Sequence, residues 1–125
     1  MSNIMAVLLN GIAQLEYDRD RSLPKDQRQY LNKMDEKMAS GITLDKQSIT
    51  NPDLNQRAQF VAQNLAQAIK DNREANVAAM ASWLASRLPE LKQVKITEAE
   101  TGFGIELVFD EEYRSQVAVK FDRLH

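Results

Sequence analysis

The sequence predicts an α+β domain, with about four helices in two hairpins followed by a three-stranded antiparallel meander at the C-terminus. Two observations support this fold class. Up to Pro89 the apolar residues recur at helical spacing, and beyond it they alternate with polar residues, which is the period of a strand. A chain of 125 residues can bury one core, so we expect a single domain over residues 1–125. Residues 1–89 form its mainly helical part, and residues 90–125 form the meander.

The first apolar stripe predicts a helix over about residues 2–17. Its members lie at helical spacing: Ile4, Leu8, Ile12 and Leu15. Neighbouring apolar residues make this stripe wider than so short a helix needs for packing on one neighbour, so part of it is expected to contact a protein partner or a second copy. The candidate partner-binding residues are Met5, Leu9 and Ile12.

A second helix is predicted over residues 24–39, and Gly41 can adopt the left-handed backbone that often ends a helix. The first and second helices are expected to form a hairpin. Residues 42–50 alternate only briefly between apolar and polar side chains. This pattern favours an extended connection, or two very short strands around Asp45 and Lys46.

The stretch from residue 51 to residue 89 carries the strongest helical signals. Asn51 is a suitable N-cap, and Pro52 suits the first helical position because the N–H that proline lacks has no partner there. A third helix is therefore predicted from this point. Its apolar face is formed by residues at three- and four-residue spacing: Leu54, Ala58, Val61, Leu65, Ala68 and Ile69.

A break divides this stretch into two antiparallel helices. The apolar stripes before and after residues 70–73 point in directions roughly 120° apart, at about 100° per residue, and one straight helix could not bury both against one neighbour. Asp71 and Glu74 also have the spacing of a capping box. The fourth helix is expected to end at Leu88, because Pro89 disfavours helical backbone in the residue before it.

Three strands are predicted in the C-terminal part of the chain. Residues 102–104, Gly-Phe-Gly, supply turn formers between the first two strands, and residues 110–115 form a polar connection of hairpin length. An antiparallel meander with one face packed on the helices is the simplest pairing. The alternating segments are 94–97, 105–109 and 117–121.

Composition excludes several classes of chemistry. The chain has no cysteine and one histidine, the terminal His125, so it offers no thiolate metal site, no disulfide and no familiar nucleophile–base pair. A formal net charge of −2 lacks the basic excess of a nucleic-acid binder. The apolar N-terminus is too short to span a membrane and has no basic flank. We therefore expect a cytoplasmic protein without nucleic-acid or membrane partners.

Two charged patterns favour ordinary structural roles. Asp18, Asp20 and Ser22 have the spacing of a calcium loop, but Leu23 and Gln29 occupy the positions that need glycine and glutamate. We therefore expect no metal ion and no cofactor. The densest basic group is offset by nearby aspartates, which predicts a solvated face: Arg19, Arg21, Lys25 and Arg28.

The absence of a catalytic constellation favours a non-enzymatic interaction module, such as an accessory factor or small subunit of a larger cytoplasmic assembly, with self-association expected. Four methionines can form an adaptable apolar contact surface: Met5, Met34, Met38 and Met80. The alternative function is a small-molecule binding protein with a pocket between the sheet and the helices. Its candidate lining residues are Phe60, Trp83 and Phe109. An enzyme that uses carboxylates or a bound metal is the third hypothesis.

Overall fold

A computed structural model describes residues 3–21, 23–44 and 46–113 of the chain. Within these residues it contains helices and strands, as an α+β fold requires, but not the predicted four helices followed by a three-stranded meander. In chain order the elements are β1 (Ile4–Leu9), β2 (Ile12–Asp18), α1 (Lys25–Ala39), β3 (Ile42–Leu44), β4 (Gln47–Ile49), α2 (Leu54–Lys70), α3 (Glu74–Arg87), β5 (Gln93–Ala99) and β6 (Gly102–Val108).

The predicted first helix is wrong, because β1 and β2 form an antiparallel hairpin over most of its length. The turn consists of Asn10 and Gly11, whose φ angles are 52° and 82°. Positive φ at both central residues is what a two-residue type I′ turn requires, and Asn-Gly is the dipeptide that most favours it. The predicted hairpin between the first and second helices is therefore also wrong.

β1 lacks the alternation of an ordinary strand because it lies in the middle of a sheet. Met5, Ala6, Val7 and Leu8 are all buried, and Met5 and Val7 belong to the main core. A strand that is buried on both faces has a continuous apolar sequence. Such a run also contains the three- and four-residue spacings of a helix, which explains the error.

The described residues form a main sheet of four strands in the order β2-β1-β5-β6. β1 pairs with β5 in parallel, whereas β1–β2 and β5–β6 are antiparallel pairs. The sheet is therefore mixed, and the predicted meander is wrong except for the antiparallel pairing of its first two strands. Residues 102–104 begin β6, and the turn lies at residues 100–101. The strand predicted at residues 117–121 lies outside the described residues.

The second predicted helix is confirmed as α1. For residues 42–50, where the sequence left an extended connection and two very short strands as alternatives, the structure contains two strands, β3 and β4. These strands form a separate antiparallel pair in which Ile42 lies opposite Ile49. Gly41, which has a φ of 128°, leads from α1 into this hairpin. A Cβ atom at Gly41 would lie 3.3 Å from the backbone oxygen of Ile49, so glycine permits a close approach of the two segments.

The third predicted helix begins two residues after the proline at which it was predicted to start, and its N-cap is a different residue from the predicted one. Asp53 is the N-cap of α2. The Asp53 carboxylate accepts a hydrogen bond of 2.8 Å from the Gln56 N–H, and the Gln56 side chain accepts one of 2.9 Å from the Asp53 N–H. This reciprocal pair is a capping box. Asn51 instead has a φ of 52°, and Pro52 precedes the helix.

The predicted break between the third and fourth helices is confirmed, since α2 ends at Lys70 and α3 begins at Glu74. The capping residues at this break differ from the predicted ones. Asp71 is the C-cap of α2, Asn72 has a φ of 58°, and Arg73 precedes α3 without a side-chain capping bond. The capping box predicted for Asp71 and Glu74 is therefore wrong.

One hydrophobic core joins the three helices to one face of the main sheet. Trp83 on α3 is the largest of its fully buried side chains. Leu31 of α1, Leu65 of α2, and Val94 of β5 belong to the same cluster. The short β3–β4 hairpin contributes Ile42 to this core, so it is anchored beside the helices although it is separate from the main sheet.

Candidate functional site

The three residues predicted to bind a partner have different environments. Met5 has no exposed surface, and Leu9 is partly buried against the core. Ile12 follows the Asn10–Gly11 turn, and 66% of it is exposed, the largest value among the exposed large apolar residues described. Ile12 is therefore the member of this group whose side chain a partner can reach without a change in the core.

The three residues predicted to line a pocket do not come together. Trp83 is 1% exposed, and its Nε1 donates a hydrogen bond of 2.7 Å to Oδ1 of Asp35. Phe109 follows the end of β6 and is 41% exposed. Phe60, by contrast, lines a cleft on the helical side of the molecule.

This cleft lies between the C-terminal part of α1, the β3–β4 hairpin, α2 and α3, and it has a volume of about 640 Å³. We call it the methionine cleft. Its position differs from the predicted pocket, because the hairpin, rather than the main sheet, forms the wall opposite the helices. Its apolar lining includes Met34, Met38, Met80, Phe60, Ile42 and Ile49.

Local structure explains how these side chains converge. Met34 and Met38 are four residues apart on α1, so they lie on one helical face. Ile42 and Ile49 are directly paired in the β3–β4 hairpin, which places them on the same face of that small sheet. The methionine spacing was recognisable in the sequence, whereas the contribution of the hairpin was not.

The rim of the methionine cleft is polar and contains one charged side chain among its described residues, Lys37. Lys37 lies in the last turn of α1. The other polar lining residues are small hydroxyl and amide side chains: Ser40, Thr43, Ser48, Thr50 and Asn64. An apolar floor with a cationic and hydroxyl-rich rim suits a molecule that is mostly apolar and carries an anionic or hydrogen-bond-accepting group.

A polar network supports the helices that form one side of the cleft. Asp35 on α1 accepts the Trp83 bond and two bonds from Arg87, from Nε at 3.0 Å and from Nη2 at 2.6 Å. Arg87 also donates to Oδ1 of Asn32 at 3.2 Å. These charge-assisted bonds hold α1 against α3. Trp83 thus has a structural role near the cleft without lining it.

Arg19, predicted to belong to a solvated basic face, instead binds backbone oxygens at the end of α3. Its Nε donates to the Ala85 oxygen at 3.1 Å, and its Nη2 donates to the oxygens of Leu88 and Leu91 at 3.0 and 2.6 Å. Burial lowers the pKa of Arg19, and the nearby Tyr17 acts in the opposite direction. Arg19 therefore fixes the segment that leads from α3 into β5.

Two further features are not found in the described part of the chain. It contains no group of three or more acidic or histidine side chains that could hold a metal ion. Among the helices of residues 3–113, none is long and apolar enough to cross a membrane. No family model, curated protein or solved structure matches the chain. The candidate site is therefore defined by its geometry alone.

Proposed function

We propose that this chain is a non-catalytic binding protein whose methionine cleft takes a small, mostly apolar molecule with one anionic group. The observation that carries the proposal is the combination of an apolar floor with Lys37 as the charged residue of the described rim. A volume of about 640 Å³ falls within the ~300–1,000 Å³ that small-molecule sites occupy.

The side chains of the cleft favour adaptable recognition of shape. Methionine has three rotatable bonds and a polarisable sulfur, so Met34, Met38 and Met80 can adjust to ligands of different outline. Phe60 adds a rigid aromatic surface that favours planar groups. The apolar contacts are expected to supply most of the affinity, because the hydrophobic effect scales with the area removed from water.

Lys37 is expected to select the charge of the ligand. An ammonium group next to an apolar surface interacts with an anion more strongly than it does in bulk water, because the effective dielectric constant is lower. Other charged lining residues that would offset Lys37 are absent from the described part of the cleft. A carboxylate or sulfonate at the rim is therefore favoured over an amine.

Titration with the fluorescent probe 8-anilinonaphthalene-1-sulfonate tests this function, because the probe combines aromatic rings with a sulfonate. We expect saturable binding that weakens roughly tenfold, about 1.4 kcal/mol, in Lys37→Glu. Lys33→Glu is the matched control, since Lys33 is an exposed residue on the same helix outside the cleft and the change in net charge is identical. Equal loss in both variants, or no saturable binding to the wild type, contradicts the proposal.

A second candidate function is an interaction role, as an accessory factor or small subunit, and the exposure of Ile12 favours it. An exposed isoleucine at a hairpin end can insert into an apolar depression on a partner or on a second copy. We place either role in the cytoplasm, because a chain without cysteine suits a reducing compartment. Light scattering of the wild type and of Ile12→Lys tests self-association. A wild-type mass that does not exceed one chain at high concentration contradicts it.

A further inference from the structure

We propose that the edge of β2 and the adjacent face of α3 form a binding site for an extended, basic peptide segment of a protein partner. This site is distinct from the methionine cleft. It is a groove of about 930 Å³ between the strand and the helix, which we call the strand–helix groove. The peptide is expected to bind by adding a strand to the sheet beside β2.

β2 has the geometry that strand addition needs. It is the edge strand of the sheet formed by the described residues, with β1 on its inner side. The N–H of Arg19 donates to the oxygen of Asn3 at 3.1 Å, and hydrogen-bonded pairs alternate along an antiparallel ladder. The backbone groups of Leu15 and Tyr17 therefore face β1, and those of Glu16 face outward into the position that an added strand would occupy.

The opposite wall is one face of α3. The helical residues that line the groove are spaced by three, one, three and one positions, which is the pattern of a single helical face: Glu74, Val77, Ala78, Ala81 and Ser82. Three of these residues are small. A peptide strand beside β2, at the usual interstrand spacing of about 4.8 Å, would thus meet a wall with room for its side chains.

The lining sets the chemistry of the peptide. Leu15, Ile69 and Val77 provide apolar surface, so alternate peptide residues are expected to be apolar. The charged lining residues are Glu16, Asp18, Glu74 and Arg21, and acidic groups therefore predominate. Lysine or arginine at the intervening peptide positions complements this charge.

Charge complementarity also decides between a foreign peptide and a second copy of the same strand. The sequence of β2 is IAQLEYD, which has two carboxylates and no basic residue. Pairing with another β2 would place acidic strands side by side, and like charges across a ladder are destabilising. A basic strand removes this repulsion and gains from the same carboxylates.

The probe for this site is a rhodamine-labelled peptide of sequence Lys-Val-Lys-Val-Thr-Val-Lys with capped ends, and fluorescence anisotropy measures its binding. We expect saturable binding, and at least roughly tenfold weaker binding for the same peptide with glutamate in place of lysine. A version in which every residue is N-methylated, which cannot complete a β ladder in either strand direction, is also expected to lose binding. No saturable binding by the lysine peptide at millimolar concentration overturns the proposal.

Two pairs of protein variants locate the site. Ala78→Phe fills the groove and is expected to weaken the lysine peptide roughly tenfold, whereas Ala75→Phe, at an exposed position of α3 outside the groove, leaves binding unchanged. Glu16→Lys is expected to favour the glutamate peptide, with Glu36→Lys on exposed α1 surface as its charge-matched control. Circular dichroism verifies that each variant is folded. Binding that is equal in each variant and its control overturns the assignment to this groove.

Discussion

Arg19 shows how a single side chain connects elements that are far apart in sequence. It follows β2, yet its hydrogen-bond partners are the oxygens of Ala85, Leu88 and Leu91. Ala85 lies in the last turn of α3, where carbonyl groups have no partner within the helix, whereas Leu88 and Leu91 follow the helix. Arg19 supplies a partner for the Ala85 oxygen and, through the oxygens of Leu88 and Leu91, links the end of β2 to the segment after α3.

Replacement of Arg19 by methionine is expected to lower the free energy of unfolding by about 2 kcal/mol, because carbonyl groups lose partners that the apolar side chain cannot replace. Urea denaturation followed by circular dichroism measures the loss. Arg21→Met is the control, since Arg21 is exposed, and we expect its effect to stay within about 0.5 kcal/mol. Equal effects of the two substitutions contradict this role of Arg19.

The N-cap of α2 can be assigned by experiment. Asp53→Ala removes one half of the capping box with Gln56 and is expected to destabilise the protein by about 1 kcal/mol. Asn51→Gly is expected to be neutral or stabilising, because Asn51 has a positive φ of 52° that glycine adopts without strain. Thermal unfolding of both variants gives the comparison. A larger loss of stability for Asn51→Gly than for Asp53→Ala would show that Asn51 is the N-cap instead.

Sequence patterns predicted those elements that depend on residues close together in the chain. α1 and the break at residues 70–73 follow from apolar periodicity, and so do the central residues of β5 and β6. The β1–β2 hairpin was missed because the spacing of its apolar residues fits a helix as well as a buried strand. The dipeptide Asn10–Gly11 was the signal that distinguishes the two.

The candidate site was predicted only in part, for a related reason. Met34, Met38 and Met80 were recognised as a possible contact surface, and Phe60 as a lining residue, and all four lie in the methionine cleft. The grouping of Phe60 with Trp83 and Phe109 does not occur in the structure. Which residues share a cavity depends on contacts between distant elements, such as the approach of β3–β4 to α2, and periodicity carries no information about them.

The mixed sheet explains why Leu9 and Ile12 differ in exposure although they are paired across one turn. Leu9 also pairs with Ile96 of β5 and packs against the core, whereas Ile12 is on the edge strand and largely exposed. The substitution suitable for testing association is therefore at Ile12.

We expect Leu9→Lys to lower the free energy of unfolding by about 2 kcal/mol, because a charge replaces an apolar side chain that contacts the core. Ile12→Lys is expected to remain within about 0.5 kcal/mol of the wild type, as is usual for exposed positions. Chemical denaturation measures both values. Unfolding of Ile12→Lys under native conditions would show that Ile12 belongs to the folded core and would remove it as a contact residue.

The parallel pairing of β1 with β5 has a consequence for synthesis on the ribosome. β1 emerges before β5, and the pairing of Leu9 with Ile96 can form only after the helices between the two strands have been translated. At about 5–20 residues per second this interval is roughly 4–17 s. During that time an apolar strand with one unpaired edge is open to chaperones and to other nascent chains. The order of translation thus leaves β1 exposed to unwanted contacts until β5 has emerged.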